Sequence, residues 1–298
     1  MISPEAATTA STQRTNRKPA MASAPPRATP WLPILGYHRV VETMPPDDAC
    51  WLCVPRHEFE RQLAWFARLG YRTISLDTVG ELLARNQPIP PRRFAITFDD
   101  GYLDNLSVAA PVLSWFGFSA TVYMVAARIG GTNIWDPHAS CAAPLMDWQH
   151  LRAWRALGHA VGSHTLTHPH LSTLRPDAAR RELVDSRRTL EDGLGEAVPT
   201  FCYPYGDWSA TTVALAEEAG YTLACNDVAR REHGRYTMAR TDPRCWPAAL
   251  TLVSGQPWFA VLNQHGLLRL PRWGLHQLWQ YRIVATPRRA AHGSENLR

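Results

Sequence analysis

The alternation of short apolar segments with amphipathic segments constrains the fold of this chain more than any other feature. From residue 31 to about residue 247, the two kinds of segment alternate at least five times. The apolar run 94–98 is typical of a buried strand, and Pro176–Leu194 is typical of an amphipathic helix whose first turn accepts proline. Strands that alternate with helices usually pair in parallel. The sequence therefore predicts an α/β fold whose mostly parallel sheet closes, or nearly closes, into a barrel.

The boundaries of this pattern divide the chain into three parts. Residues 1–30 are rich in Ala, Thr, Ser, Pro and Arg and show no periodicity, which predicts a disordered arm. Residues 31–247 form the predicted domain. Residues 248–298 form a basic tail rich in Trp and Leu, which either packs on the domain, the favoured interpretation, or lies on a membrane surface. Within the domain, further strands are expected at 33–37, 120–125, 160–163, 200–203 and 221–225, and further helices at 56–69, 76–84, 105–116, 147–157 and 210–219.

The composition narrows the possible partners and locations. Lys and Arg (31) exceed Asp and Glu (26) only mildly and are spread along the chain, which favours solvated faces over nucleic-acid binding. No apolar stretch has the length of a signal peptide or a transmembrane helix, so a cytoplasmic location is expected, with peripheral membrane contact through the tail left open.

Among the twelve tryptophans, Trp65, Trp115 and Trp154 fall at helical spacing and are predicted to lie in the core. Cys50 and Cys53 form a single Cys-x-x-Cys, which is weak evidence for zinc.

A pair of aspartates follows the strand expected at 94–98. Asp99 and Asp100 precede Gly101, which permits an abrupt turn. Consecutive strand residues point to opposite sides, so the two carboxylates can serve different tasks unless the chain turns there. An aspartate at a strand end is often only a helix cap. On its own, this segment is equally compatible with a cap and with a functional site.

A histidine cluster follows the strand expected at 160–163. The His-x-x-x-His spacing of His164 and His168 places two imidazoles one helical turn apart and able to bind one ion, and His170 is close behind. Three histidines in seven residues would be costly as plain core. With Asp100, the first two make a set of two histidines and one carboxylate, which leaves positions open for water and substrate. That pattern predicts a catalytic rather than a structural metal site.

Two further segments complete a pattern that is similar to a known family. They are Tyr37-His38-Arg39-Val40 and Tyr203-Pro204-Tyr205-Gly206, each at a predicted strand end. Together with Thr97-Phe98-Asp99-Asp100-Gly101 and the histidine segment 163–171, they resemble the polysaccharide deacetylase family, the NodB-homology domain of carbohydrate esterase family 4. The resemblance covers about residues 31 to 247. It implies a distorted (β/α) barrel with its active site at the carboxyl ends of the strands.

The resemblance also implies a set of chemical roles. It implies that Asp100, His164 and His168 bind one divalent metal, most commonly zinc, although such a site also accepts Co, Mn, Ni or Fe. Asp99 is then the general base, and the backbone N–H of Tyr205 faces the oxyanion. The implied substrate is an acetylated glycan, and the implied activity is removal of N-acetyl groups from a polysaccharide or oligosaccharide.

The chain departs from the commonest family pattern at two points. Cys202 stands where the family usually has an arginine, and Arg240 or Asp242 is a candidate to replace it. No Leu-x-His follows Tyr205 to supply the general acid. The N-terminal motif instead resembles the branch of the family in which the acid comes from the first strand, so His38 is the predicted acid. The alternatives are the later histidines His233, His265 and His276.

Three other functions remain open at the level of the sequence. The same machinery on an ester gives an O-acetyl carbohydrate esterase. A catalytically inactive glycan-binding homologue is a second alternative, but binding alone does not need a metal with open positions. A structural zinc protein is a third, and it needs a fourth ligand, for which Cys202 is a poor candidate.

Overall fold

Strands and helices alternate through residues 32–45, 52–136, 142–226 and 234–242, which are the residues that the computed structural model describes. The predicted arm and tail lie outside them and stay predictions, as does the location of the protein. The strands are β1 (Ile34–Tyr37), β2 (Arg39–Val41), β3 (Cys53–Pro55), β4 (Arg72–Thr73), β5 (Arg93–Phe98), β6 (Thr121–Met124), β7 (Ala160–Ser163), β8 (Thr200–Cys202), β9 (Leu223–Asn226) and β10 (Met238–Ala239). The helices are α1 (Arg56–Arg68), α2 (Leu76–Ala84), α3 (Ala110–Phe116), α4 (Trp148–Ala156), α5 (Pro176–Leu194) and α6 (Ala210–Glu218).

The main sheet curves into a nearly closed barrel of parallel strands. Its order is β1-β5-β6-β7-β8-β9-β10, and β4 pairs with the start of β5. Thr241, just after β10, joins the two ends of the sheet. Its N–H donates to the Ile34 carbonyl at 2.8 Å, and the Gly36 N–H donates to its carbonyl at 2.9 Å. The barrel predicted from the alternating pattern is therefore confirmed.

The side chains of β5 alternate between the outer layer of the fold and the barrel interior. Phe94, Ile96 and Phe98 pack under the surrounding helices, where Phe66 stacks on Phe94 with ring centroids 4.2 Å apart. The intervening Thr97 is buried on the other face. Because side chains alternate along a strand, the next residue on the interior side after Thr97 is Asp99. The core thus fixes the direction in which this carboxylate points.

Local signals set the helix boundaries close to those expected. Ser75 caps α2 by accepting the Thr78 N–H, and Asp147 caps α4 by accepting the His150 N–H. Pro176 opens α5. These contacts satisfy backbone donors that a helix start leaves without partners.

The helix expected at 105–116 is divided. Its first part, Asn105–Ala109, is π-helical, and α3 follows. Pro111 lacks the N–H that an α-helix would direct to the carbonyl of Ser107, so the regular hydrogen-bond ladder is interrupted there. The Asn105 side chain in this turn donates to the carbonyl of His38 at 2.8 Å and ties the turn to the end of β1.

The tryptophan predictions are right in one case and wrong in two. Trp154 is fully buried, and its indole N–H donates to the Ala160 carbonyl at 2.8 Å. Trp65 and Trp115 were expected in the core but are 41% and 86% exposed. Both lie beside, not on, the buried faces of α1 and α3, which place Leu63 and Leu113 in the main core. No helix among the described residues combines the length and apolarity needed to cross a membrane.

Candidate active site

The strand register brings the predicted polar segments to one end of the barrel. Tyr37 pairs with Phe98 across β1 and β5, and Ser163 pairs with Phe201 across β7 and β8. The residues that follow these strands therefore lie at the same level of the sheet. They are the residues singled out from the sequence, namely His38, Asp99, Asp100, His164, His168 and Tyr205.

Three of these side chains converge on one point. The Nε2 atoms of His164 and His168 lie 3.6 and 3.2 Å from the same oxygen, Oδ1 of Asp100. All three residues are buried, and within the described part of the chain this oxygen has no hydrogen-bond partner. A buried acceptor left in that state is costly. Two ligands on one tetrahedral ion lie about 3.4 Å apart, so the donor set and its spacing fit a divalent metal.

The second ring nitrogen of each histidine has its own partner. Nδ1 of His164 lies 2.8 Å from the Cys202 carbonyl, to which it donates, and Nδ1 of His168 lies 3.0 Å from the Tyr205 hydroxyl. These contacts direct both Nε2 atoms toward Asp100. Burial lowers the pKa of His164 and favours the neutral imidazole, which is the form that binds a metal.

A turn, not a helix, brings the two histidines together. The interpretation of His-x-x-x-His as one helical turn is wrong, because residues 164–170 form a loop. Thr165 and His168 adopt left-handed φ angles of 67° and 68°, which fold the loop back on itself. Asp100 also has a left-handed φ, of 69°, so the chain turns immediately after Asp99. Because of this turn, Asp99 and Asp100 both face the site, although consecutive residues of a strand point to opposite sides.

Glu182 on α5 holds this loop in place. Its carboxylate accepts the N–H groups of Leu166 and Thr167, both at 2.9 Å, and the Thr167 hydroxyl at 2.7 Å. The three bonds span the segment between the two histidines. Glu182 therefore stabilises a loop conformation that includes two left-handed residues.

Glu182→Gln is expected to weaken metal binding by about 10- to 100-fold, the usual range for residues that support metal ligands. The amide cannot accept the same set of donors, so the loop loses its fixed geometry. A competition titration with a fluorescent chelator measures the change. Asp192→Asn is the matched control, because Asp192 is an exposed carboxylate of the same helix, paired with Arg188. Equal affinity in the Glu182 variant and the control would contradict this role.

Asp99 lies beside the three-residue set and is paired with Arg240. The guanidinium donates to both carboxylate oxygens, from Nη1 to Oδ1 at 2.7 Å and from Nη2 to Oδ2 at 2.5 Å. Burial alone would raise the pKa of Asp99, but the charge and hydrogen bonds of Arg240 outweigh it and hold that pKa below its ordinary value. Asp99 is therefore ionised throughout the neutral range.

Arg240 is one of the two candidates named to replace the arginine missing at position 202. It follows β10 and also donates to the Thr97 hydroxyl at 3.1 Å. The other candidate, Asp242, acts on Tyr37, whose pKa is raised by burial and then by the Asp242 charge. Arg240, which directly follows the last strand of the barrel, is thus the residue that lowers the pKa of Asp99 most.

His38 is the third titratable group near this pair. Its Nε2 atom lies 3.9 Å from Oδ2 of Asp99, beyond hydrogen-bond range, and its side chain is 25% exposed. The Asn105 contact to its carbonyl fixes the backbone there. The other candidate acids, His233, His265 and His276, lie outside the described residues.

Aromatic rings enclose His168 on two sides. Trp135 stacks on it with centroids 4.5 Å apart, and Tyr205 meets it nearly edge-on at 4.6 Å. Tyr205 has a left-handed φ of 58° and stacks on His170 at 4.0 Å. Burial, followed by the charges of nearby aspartates, raises the pKa of Tyr205 to about 12, so its hydroxyl stays protonated. Trp135 and Glu182 were not singled out from the sequence, since neither belongs to a motif.

A second group of potential ligands shares His164. Asp99, His164 and Cys202 also have ligand atoms within 4.8 Å of one another. Asp99 is already bound on both oxygens by Arg240, and Nε2 of His164 faces Asp100. This group is therefore the weaker candidate for a metal, and Asp100, His164 and His168 remain the better one.

Comparisons with known proteins agree with the fold and the motifs. Residues 86–224 match the family model described as polysaccharide deacetylase. A putative polysaccharide deacetylase of Bacillus subtilis (strain 168) is 29% identical over 212 residues, 70% of each chain. The poly-beta-1,6-N-acetyl-D-glucosamine N-deacetylase of Escherichia coli (strain K12) is 23% identical over 116 residues, 39% of this chain and 17% of that protein. The solved structure of the Streptococcus pyogenes deacetylase PplD in complex with acetate has a TM-score of 0.64 and 25% identity, and covers 76% of this chain and 98% of that one.

The fold, the polar centre at the carboxyl ends of the strands and these matches define the class of protein, a hydrolase of the polysaccharide deacetylase type. Residues 86–224 are thereby identified as a polysaccharide deacetylase domain. Deacetylases of this family are metalloenzymes, and the chain has a possible Asp-His-His site for the ion.

Proposed function

We propose that this protein is a metal-dependent N-deacetylase of an acetylated polysaccharide or oligosaccharide. The observation that carries the proposal is the convergence of Asp100, His164 and His168 on one buried point, beside an ionised Asp99. A buried set of metal-binding side chains with an ionised carboxylate next to it fits metal-assisted hydrolysis. The name of the Escherichia coli relative, an N-deacetylase of a hexosamine polymer, supports the choice of bond.

The three-residue set would hold one divalent metal, with zinc favoured by two imidazoles and a carboxylate, and with Co, Mn, Ni or Fe as alternatives. When bound, the metal supplies Lewis-acid activation of the acetyl carbonyl and of the attacking water. The chain's own residues do the rest. Tyr205 fixes the ring of His168, and its backbone N–H is assigned to the carbonyl oxygen of the acetyl group as charge develops there.

Asp99 is proposed as the general base. Arg240 engages one lone pair on each carboxylate oxygen, and an ionised carboxylate offers about four acceptor positions, so Asp99 keeps capacity to accept the proton of the attacking water. The lowered pKa ensures that it is deprotonated before each turnover. Arg240 also fixes the orientation of the carboxylate, which a base with two rotatable bonds would otherwise lack.

His38 is proposed as the general acid that protonates the leaving nitrogen. Its ring lies at the same end of the barrel as the metal ligands, close to Asp99, and its partial exposure allows proton exchange with solvent between turnovers. An amine leaves poorly unless its nitrogen is protonated, whereas an activated phenolate leaves without a proton. A comparison of substrates with different leaving groups therefore distinguishes a general acid from a residue that only supports the site.

His38→Ala is expected to reduce hydrolysis of an N-acetylated glycan by about 100-fold or more and to change hydrolysis of 4-nitrophenyl acetate by much less. Metal content should stay at the wild-type level, because His38 is not in the ligand set. Steady-state rates on both substrates, with metal analysis of each sample, measure this. Equal losses on the two substrates would show that His38 has a positional role.

The related alternative is an O-acetyl carbohydrate esterase, since the same residues can attack an ester. A panel of N-acetylated and O-acetylated oligosaccharides separates the two, with acetate and free amine measured in parallel. The proposal predicts one amine for each acetate and faster turnover of the N-acetylated set. Acetate release only from O-acetylated glycans would favour the esterase, and binding without any release would favour an inactive homologue.

A further inference from the structure

A third carboxylate, that of Asp136, lies beside the site and has no role in the chemistry described above. The residue follows Trp135, whose ring stacks on the metal-ligand candidate His168. The Tyr102 hydroxyl, two residues after Asp100, donates to the Asp136 carboxylate, which places this carboxylate beside the site, and its charge raises the pKa of Tyr205. It is only partly buried. Asp136 is thus a charged group at the rim of the site.

Two buried side chains hold this carboxylate in one orientation. The Tyr102 hydroxyl donates to Oδ2 of Asp136 at 3.3 Å, and the Asn133 amide donates to the same oxygen. Asn133 is itself fixed, since its carbonyl oxygen accepts the Ala143 N–H at 2.7 Å and its amide also reaches the Tyr102 hydroxyl at 3.0 Å. Both Tyr102 and Asn133 are nearly inaccessible to solvent. The arrangement is rigid and built from two separate segments.

Both donors converge on a single oxygen of Asp136. Among the described residues, no donor reaches the other oxygen, Oδ1, which is left available to a ligand. Asp136 is also outside the described groups of three potential metal ligands, so its carboxylate is not part of the ion site. Burial raises the pKa of Asp136, and the hydrogen bonds from Asn133 and Tyr102 only partly offset this effect. A partly exposed carboxylate that is held through one oxygen and offers the other is a candidate for ligand recognition.

We propose that Asp136 is a sugar-recognition residue, whose Oδ1 accepts a hydrogen bond from a hydroxyl group of the hexosamine that carries the acetamido group. This inference rests on the proposed function. Carboxylates are strong acceptors for hydroxyl donors, and a fixed carboxylate loses little conformational entropy when the bond forms. Trp135, held flat against His168, forms the adjoining wall. The position of the sugar relative to Asp99 is thereby set by a residue that does not touch the acetyl group.

The test compares a substrate that has a sugar with one that has none. Asp136→Ala and Asp136→Asn are assayed on the N-acetylated oligosaccharide that the wild type hydrolyses best and on 4-nitrophenyl acetate, with metal content measured in each sample. We expect kcat/KM for the oligosaccharide to fall by about 10- to 100-fold in Asp136→Ala, mainly through KM. Turnover of the aryl acetate and metal content should stay within about twofold of wild type. Asp136→Asn, which keeps the shape and one weaker acceptor, should lose less.

Calorimetric binding of the same oligosaccharide gives a readout that does not depend on turnover. Weaker binding by Asp136→Ala supports the inference even if the wild type releases no acetate, an outcome that would contradict only the proposed function. Equal losses on both substrates, or loss of metal, would show that Asp136 serves the ion site and would overturn the inference. Unchanged kcat/KM and unchanged binding would overturn it as well.

Discussion

His168→Ala is expected to lose the bound metal and nearly all turnover while the barrel stays folded. The Nε2 atom of His168 lies 3.2 Å from Oδ1 of Asp100, and its removal leaves only two of the three ligands. Loss of a supporting residue alone costs about 10- to 100-fold in metal affinity, so loss of a ligand should cost at least about 100-fold. The side chain lies in a loop outside the barrel, so thermal unfolding should still be cooperative. Metal analysis after dialysis, combined with a circular dichroism melt, measures both effects.

His170→Ala is the matched control for this variant. His170 lies in the same loop and stacks on Tyr205, but it is outside the ligand set. It should retain one metal per chain and most of the activity. Stoichiometric metal in His168→Ala after dialysis would contradict the assignment of the site.

Arg240→Met is expected to have the second large effect, on both turnover and stability. The variant leaves the Asp99 carboxylate buried without its partner, a situation that costs about 3–5 kcal/mol in the free energy of unfolding. Both side chains are only 1% exposed, so solvent does not compensate. Turnover should fall by about 100-fold or more, because the base loses its orientation and its ionised state. Denaturant melts and steady-state kinetics measure the two losses.

The pH dependence of the Arg240 variant has a definite sign. In the wild type the pKa of Asp99 lies below its ordinary value of 3.8, so the ion pair contributes stability above that pH and loses it as pH falls through the lowered pKa. Without Arg240, burial dominates and raises the pKa of Asp99. The difference in unfolding free energy between the two proteins should therefore be largest at neutral pH, begin to shrink as pH falls through the raised pKa of the variant, and shrink further below pH 3.8 as the wild type loses the ion pair.

A double variant separates stability from catalysis. Asp99→Asn combined with Arg240→Met removes both charges, and it should recover part of the stability lost in Arg240→Met without recovering turnover. A double variant no more stable than Arg240→Met would argue against a buried unpaired charge as the cause. Near-normal turnover in Arg240→Met would contradict the role of Arg240 itself.

The central residues could be predicted because each stands at a strand end within a recognisable segment. The apolar run of β5 places Asp99 and Asp100 at the carboxyl edge of a parallel sheet, and β7 does the same for His164. In such a sheet these edges meet, so residues distant in sequence become neighbours. The alternation of strands and helices therefore predicted the barrel, and the strand ends predicted where these side chains come together.

The supporting contacts were harder to predict, because they join residues far apart in the chain. Arg240 could be named only as one of two candidates, since it is 141 positions from Asp99 and their contact depends on β10 closing the ring next to β1. The loop after His164 was misread as a helical turn because its shape depends on left-handed residues held by Glu182. The exposure of Trp115 likewise depends on which face of a short helix meets the sheet.

The most direct measurement is a metal titration of turnover. Protein stripped by a chelator and then dialysed is mixed with an N-acetylated oligosaccharide, and acetate and free amine are followed as zinc is added in fractions of an equivalent. We predict no turnover in the stripped protein, a linear rise that breaks at one zinc per chain, and equal amounts of acetate and amine throughout. Full turnover in the stripped protein, or a break at another stoichiometry, would contradict a single metal centre formed by Asp100, His164 and His168.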